Sequence, residues 1–121
     1  MAKILVVDDQ RAIRSMFKAI LATTPHETDF AEDGAIAYNA AKGITYDLIL
    51  ADMMMPNMDG VELTQKLRQL SKYHQTPIYI VSSSTSDEKK AQAREAGANG
   101  WVLKPVTPER VLKLVGKTIG L

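Results

Sequence analysis

Short runs of apolar residues alternate along the chain with longer stretches in which apolar residues recur at helical spacing. Four runs, at 4–7, 48–51, 78–81 and 101–103, have strand length and are apolar throughout, as is typical of strands buried on both faces. A fifth run, Glu27–Ala31, alternates polar and apolar residues and predicts an edge strand. Because a strand is followed by a helix five times, the pattern predicts a parallel sheet with helices on both faces.

The stretches between the runs carry the start and stop signals of helices. A Thr-Thr-Pro sequence at 23–25 ends the first predicted helix, an Ala-rich helix follows over 35–42, and the last helix runs to the C-terminus. Polar or proline-flanked residues predict N-caps, and glycines predict C-caps. The predicted N-caps are Asp59, Thr85 and Thr107, and the predicted C-caps are Gly43 and Gly97.

Five strand–helix units with right-handed crossovers restrict the topology to a few arrangements. Among these the flavodoxin-like strand order 2-1-3-4-5 is the natural one for an α/β chain of this size. The half-polar second strand then lies at an edge of the sheet, as its alternating pattern requires. In this order strands one and three are neighbours, so the residues that follow them converge on one crevice.

Composition narrows the functional classes without naming one. The 121 residues suit a single domain over 1–121, and a net charge of +1 gives no reason to expect nucleic-acid binding. The chain lacks cysteine, which excludes disulfides and thiol chemistry. It shows no signal peptide and no apolar run near the ~20 residues that span a bilayer, so we expect a cytoplasmic protein. His26 and His74 fall in predicted loops, where solvated turn residues are the default interpretation.

Carboxylates follow the two central strands. Asp8 and Asp9 come directly after the first strand, and Asp52 follows the third. Three ionised carboxylates in one crevice repel one another, so the cluster needs a cation or one member must be protonated. Oxygen ligands without histidine or cysteine favour Mg²⁺, or Mn²⁺, over zinc. Mg²⁺ commonly completes its coordination shell with a phosphate oxygen, which indicates a site for a phosphoryl group.

The fourth and fifth strands end in groups that suit phosphate. Ser82 ends the fourth strand with a hydroxyl donor, and Lys104 ends the fifth with a point charge. Each residue alone has an ordinary explanation, since Asp8 and Asp9 can cap a helix, Ser82 can belong to a turn and Lys104 can be solvated. Together they form a set able to stabilise phosphoryl transfer onto a carboxylate.

Over its whole length the chain resembles the receiver domains of two-component response regulators, the CheY-like family. The matching segments share both order and spacing with the family, and they are Val6-Val7-Asp8-Asp9, the stretch from Asp52 to Gly60 (Asp-Met-Met-Met-Pro-Asn-Met-Asp-Gly), Pro77-Ile78 through Ser82, Ala96-Gly97-Ala98 and Lys104-Pro105. This resemblance implies a signalling protein rather than a classical enzyme.

The resemblance also implies roles for individual residues. Asp52 would accept a phosphoryl group from the phosphohistidine of a histidine kinase. Mg²⁺ would be held by Asp8, Asp9 and Asp52 together with the main-chain carbonyl of Met54. Ser82 and Lys104 would bind the phosphoryl oxygens. A shift of Ser82 toward the phosphoryl group would then let Trp101, at the position of the family's switch aromatic, turn inward.

The expected output surface comprises the fourth helix, the fifth strand and the fifth helix. The last helix closes near Leu121, so we expect a stand-alone regulator that docks on a partner protein. A receiver fragment of a larger regulator, or a relay intermediate that passes its phosphoryl group to a histidine phosphotransfer protein, are the alternatives. No direct contact with nucleic acid and no membrane insertion is expected.

Three rival functions fit the sequence less well. An aspartate-nucleophile phosphatase of the haloacid dehalogenase type requires a second Asp, as general acid, two residues after the nucleophile. This chain has Met54 at that position. A flavin or nucleotide binder needs a phosphate cradle after the first strand, where Asp8 and Asp9 would repel phosphate. A receiver-like interaction module without phosphorylation is disfavoured by the intact acids, Ser82 and Lys104.

Overall fold

The computed structural model describes residues 1–121 and contains one five-stranded sheet in which every neighbouring pair is parallel. The strand order β2-β1-β3-β4-β5 confirms the predicted topology. The strands are β1 (Lys3–Val7), β2 (Glu27–Ala31), β3 (Leu48–Asp52), β4 (Ile78–Ser82) and β5 (Gly100–Leu103). β2 lies at one edge, as its half-polar pattern predicts, and β5 lies at the other.

The five helices cover both faces of the sheet. They are α1 (Arg11–Leu21), α2 (Gly34–Gly43), α3 (Gly60–Arg68), α4 (Asp87–Ala96) and α5 (Pro108–Thr118), and a short 3₁₀ turn (Ser71–Tyr73) follows α3. None of them combines the length and apolar character needed to cross a bilayer.

Two apolar cores sandwich the sheet, because successive residues of a strand point to opposite faces. Leu5 and Ile49 pack with α2, α3 and α4 on one face, whereas Ile4 and Leu48 pack with α1 and α5 on the other. β3 is buried at every position. A strand covered on both faces holds its carboxyl end rigidly, which is where a site needs precision.

Several predicted helix ends are displaced by a residue or more. α4 begins after Ser86, whose side chain accepts the Lys89 N–H, so the predicted cap at Thr85 is wrong by one residue. α2 is capped by the Asp33 side chain and starts at Gly34, and Gly43 is its last helical residue rather than a C-cap. α5 ends at Thr118, short of the C-terminus. The predicted caps Asp59, Thr107 and Gly97 are confirmed.

His26 is not the solvated turn residue that its loop position predicts. The ring is half-buried, its Nδ1 accepts the backbone N–H of Ala2, and its Nε2 bonds the carbonyl of Gly120. The side chain therefore ties the start of β2 to both ends of the chain. Sequence spacing hides this role, because Gly120 lies 94 residues away.

Candidate functional site

The sheet register brings the carboxyl ends of four strands level with one another. Val7 pairs with Ala51, so the acids after β1 lie beside Asp52 at the end of β3. Ser82 pairs with Leu103, so Lys104 follows directly beside the end of β4. The predicted site residues thus reach one edge because the strands are parallel and end in step.

The three acids form a cluster at this edge. Each of Asp8, Asp9 and Asp52 offers a carboxylate oxygen within 4.8 Å of the others. Asp8 is 1% exposed and Asp52 8%, whereas Asp9 is open to solvent. Lys104 Nζ lies 3.2 Å from Asp52 Oδ1 and 3.4 Å from Asp8 Oδ2. One ammonium therefore bridges two buried carboxylates, and the cluster keeps an excess of negative charge.

Burial and neighbouring charges shift the pKa values of Asp52 and Lys104. Burial and the nearby Asp8 carboxylate raise the pKa of Asp52, and the attraction of Lys104 only partly offsets them. Burial acts to lower the pKa of Lys104, but Asp52 and Asp8 outweigh it, so the net shift of this pKa is upward. Asp8 is further fixed by its Oδ1, which accepts the Gln10 N–H at 2.9 Å. No acid caps α1, since its N-cap is Gln10 and carries no side-chain bond.

Ser82 lies at the same edge and connects to Trp101 through the β4–α4 loop. Its Oγ is buried and accepts the Ser84 N–H at 3.1 Å. The Ser84 carbonyl in turn accepts the indole N–H of the half-buried Trp101 at 3.1 Å. Two hydrogen bonds that share one residue thus join the strand-four hydroxyl to the only tryptophan.

The loop after β3 carries Met54, whose side chain is exposed. Its carbonyl accepts no hydrogen bond from the protein, whereas the neighbouring Met53 carbonyl accepts the Gly60 N–H at 3.1 Å. A Cβ on Gly60 would collide with the Asp52 carbonyl, so this close return of the chain depends on glycine. Because no protein donor reaches it, the Met54 carbonyl keeps its lone pairs free.

The donor set fits a hard divalent cation. Carboxylate oxygens and a free carbonyl oxygen are the ligands that Mg²⁺ prefers, and the cluster lacks the nitrogen and sulfur donors that zinc favours. The excess negative charge, which Lys104 alone does not balance, favours binding of such an ion.

Sequence reasoning missed a contact that holds the Met54 loop. Asn57 Nδ2 donates to Asp33 Oδ2 at 2.8 Å, which joins the β3–α3 loop to the N-terminus of α2. By sequence alone, Asp33-Gly34 predicts only a turn into the Ala-rich second helix. The sequence offers two weak signals, an Asn after a proline and an Asp-Gly turn. Neither of them indicates that the two residues contact each other.

Comparison with known proteins agrees with the geometry. The family model "response regulator receiver domain" matches residues 4–116. The transcriptional regulatory protein SrrA of Staphylococcus aureus is 34% identical over 110 residues, which make up 91% of this chain and 44% of SrrA. The chain thus spans less than half the length of these curated relatives.

Solved structures include relatives that match over nearly their full length. The chemotaxis protein CheY4 of Vibrio cholerae superposes with a TM-score of 0.93 at 39% identity, covering 98% of both chains. A response regulator of Burkholderia multivorans has a TM-score of 0.83 at 42% identity, covering 97% of this chain and 94% of that chain. The fold, the acid cluster and the family match agree, and we conclude that the chain belongs to the receiver domain family of two-component response regulators.

Proposed function

We propose that Asp52 is the phosphoacceptor of a phosphorylation-activated signalling protein whose donor is a histidine kinase. A carboxylate oxygen of Asp52 attacks phosphorus, the bond from phosphorus to the histidine nitrogen breaks, and an aspartyl phosphate forms. The imidazole leaves as the neutral ring, because its second nitrogen carries a proton. The observation that carries this proposal is Lys104, which lies 3.2 Å from Asp52 at the crowded acid cluster.

In this mechanism the protein's own groups position the reactants. Lys104 and the Ser82 hydroxyl bind phosphoryl oxygens, and burial keeps water away from Asp52. Asp8, Asp9, Asp52 and the Met54 carbonyl would hold Mg²⁺, or Mn²⁺. A bound divalent cation supplies charge neutralisation at the phosphoryl oxygens.

Incubation with Mg²⁺ and acetyl phosphate, followed by intact-protein mass spectrometry, tests this assignment. We expect the mass of one phosphoryl group to be added, and hydroxylamine to remove it. The Asp52→Asn variant should gain no mass, and EDTA should abolish the reaction of the wild type. Modification of the Asp52→Asn variant to the wild-type extent would contradict the assignment.

We further propose that phosphorylation is transmitted through Ser82, Ser84 and Trp101. A Ser82 hydroxyl drawn to the phosphoryl group would give up the Ser84 N–H, and the loop that accepts the indole N–H would shift. Trp101 would then turn inward, which would reshape the surface of α4, β5 and α5 and change partner docking. Emission from this single tryptophan should change on confirmed phosphorylation, and an unchanged spectrum would contradict the coupling.

Docking on a downstream protein is the proposed output of residues 1–121 acting as one receiver domain. The match to 98% of CheY4 supports a stand-alone, CheY-like regulator, whereas the match to 44% of SrrA supports a receiver unit of a longer protein or a relay intermediate. Proteins captured by the phosphorylated chain but not by Asp52→Asn would separate these alternatives. A cytoplasmic location and the absence of direct nucleic-acid binding stay predictions from the sequence.

A further inference from the structure

The loop that carries Met54 is fastened to a helix that contributes nothing to the acid cluster. Asn57 Nδ2 donates to Asp33 Oδ2 at 2.8 Å, and the Gly34 N–H donates to the Met58 carbonyl at 3.1 Å. Both contacts bridge the β3–α3 loop and the N-terminus of α2. We call the pair Asp33 and Asn57 the loop clamp.

The clamp holds a backbone conformation that the loop would not adopt freely. Asn57 has φ +68°, the only positive φ of a non-glycine residue in the chain. A Cβ on Gly34 would collide with the Met58 carbonyl, so the two segments approach as closely as backbone permits. The left-handed turn at Asn57 is therefore maintained by a partner outside the loop.

The buried carboxylate of Asp33 accepts hydrogen bonds with both of its oxygens. Asp33 is 7% exposed, and its Oδ1 accepts the Ile36 N–H at 2.8 Å while Oδ2 accepts the Asn57 amide. These two bonds, the Ile36 N–H first, lower the pKa of Asp33, so its carboxylate stays ionised and rigidly oriented. One side chain caps α2 and anchors the loop at the same time.

We propose that Asp33 and Asn57 are positioning residues that fix the Met54 carbonyl in the orientation used to bind Mg²⁺. The inference rests on the proposed function of the acid cluster. Mg²⁺ demands near-ideal octahedral geometry, so a ligand on an unfastened loop must be ordered at the moment of binding. Residues that orient metal ligands typically change affinity 10–100-fold when lost, and we expect about tenfold here because Met54 is one ligand of several.

Two variants remove the clamp while preserving what surrounds it. Asn57→Gly loses the amide but keeps the positive φ without strain. Asp33→Ser keeps an N-cap oxygen for Ile36 but is too short to reach Asn57. Asp59→Ala is the control for charge, since, like Asp33→Ser, it removes one negative charge from a helix N-terminus beside the same loop.

Isothermal titration calorimetry with MgCl₂ alone, at fixed pH and salt, measures the effect without any phosphodonor. We expect each clamp variant, and the double variant, to bind Mg²⁺ about tenfold more weakly than wild type, because the two residues act as one unit. Asp59→Ala should bind as wild type does. Urea unfolding in EDTA establishes that every variant is folded under the titration conditions.

Three contrary results have different meanings. If wild type binds Mg²⁺ and both clamp variants bind it equally well, the clamp is only structural and the inference is overturned while the proposed function stands. If Asp59→Ala weakens binding as much as Asp33→Ser and Asn57→Gly has no effect, charge rather than positioning is responsible. If wild type binds no Mg²⁺, the proposed function fails first.

Discussion

Two polar clusters lie at the carboxyl ends and at the amino ends of the strands, which we call the carboxyl edge and the amino edge. Their charges and hydrogen bonds are balanced in opposite ways. At the carboxyl edge, three acids lie together and one lysine contacts only two of them. At the amino edge, the guanidinium of Arg68 makes five hydrogen bonds and no salt bridge. Its acceptors are the carbonyls of Tyr73, Thr76 and Gly97 and the side chain of Asn99.

The difference separates a cluster whose hydrogen bonds are all satisfied from one that carries uncompensated charge. All five N–H donors of a guanidinium are used at Arg68, and neutral acceptors from the 3₁₀ turn and from the segments that precede β4 and β5 surround it. The carboxyl edge leaves a surplus of charge instead, and Asp52 carries a raised pKa from burial and from Asp8 as a result. A cluster whose hydrogen bonds are all satisfied stabilises one structure. Uncompensated negative charge, in contrast, is stabilised only when a cation binds.

The largest effect is expected at the amino edge. Arg68→Met keeps the apolar stem of the side chain but leaves several half-buried acceptors unpaired, so the free energy of unfolding should fall by about 3 kcal/mol. Urea unfolding followed by circular dichroism measures it. Arg94→Met, at an exposed position of α4, is the control and should change little. A loss as small as the control's would mean that water replaces the guanidinium without cost.

A second hydrogen-bond network at this edge, centred on a tyrosine hydroxyl, should show a smaller effect. The side chain of Tyr73 is fully buried, and its hydroxyl contacts the carbonyls of Ala41 and Ile44, each at 2.7 Å, and accepts the Tyr46 N–H. Tyr73→Phe should therefore reduce the free energy of unfolding by about 1.5 kcal/mol. Tyr79→Phe is the matched control, because that hydroxyl has no partner in the protein. Equal losses in the two variants would contradict the assigned network.

The two edges also differ in how far sequence could predict them. Asp8, Asp52 and Lys104 each follow an apolar strand, and a parallel sheet brings strand ends together, so their convergence follows from the pattern. Arg68 looks like any charged residue on an amphipathic helix. Its partners are mostly backbone carbonyls, which every residue possesses, so no side-chain pattern marks them.

The same reason explains the other misses. The Asp33–Asn57 contact spans 24 residues and depends on a left-handed turn that the sequence Pro-Asn only permits. The cap of α4 at Ser86 rather than Thr85 was not decidable, because both hydroxyls lie in one serine- and threonine-rich segment. Element type and order follow from periodicity, whereas contacts between loops follow from packing that appears only once the fold is formed.

At the carboxyl edge, removing a charge should stabilise the protein. Asp52→Asn relieves the burial of a carboxylate beside Asp8, and Lys104 keeps Asp8 as a partner at 3.4 Å. In EDTA the variant should be more stable to urea than wild type by about 1 kcal/mol, the usual size of a single-residue effect. Asp9→Asn, at an exposed position, should change stability less.

Adding Mg²⁺ should reverse this order, because an ion that binds only the folded wild type raises its free energy of unfolding by mass action. A less stable Asp52→Asn in EDTA would mean that the Lys104 ion pair outweighs burial and repulsion. The sign of this single comparison thus decides whether the cluster holds the fold or strains it.

The smallest expected effect is the pH dependence of that comparison. In the unfolded chain Asp52 has its ordinary pKa near 3.8, and in the folded protein this pKa is raised. Between the two values the folded state binds more protons than the unfolded state, so stability from this group falls as pH rises. In EDTA the advantage of Asp52→Asn over wild type should therefore be constant near neutral pH, shrink as pH falls through the raised pKa, and vanish below about 3.8.

Asp33 provides the opposite sign within the same molecule. Its pKa is lowered by the Ile36 N–H and the Asn57 amide, so its stabilising contribution is present above 3.8 and is lost only as pH falls through the lowered value. Urea unfolding between neutral pH and about 3.8 measures the difference in free energy of unfolding between each variant and wild type. This difference should change with pH for Asp52→Asn and stay constant for Asp33→Ser. If the difference for Asp52→Asn were also constant, the pKa of Asp52 would not be raised in the folded protein. Any destabilisation at the cluster would then come from another group.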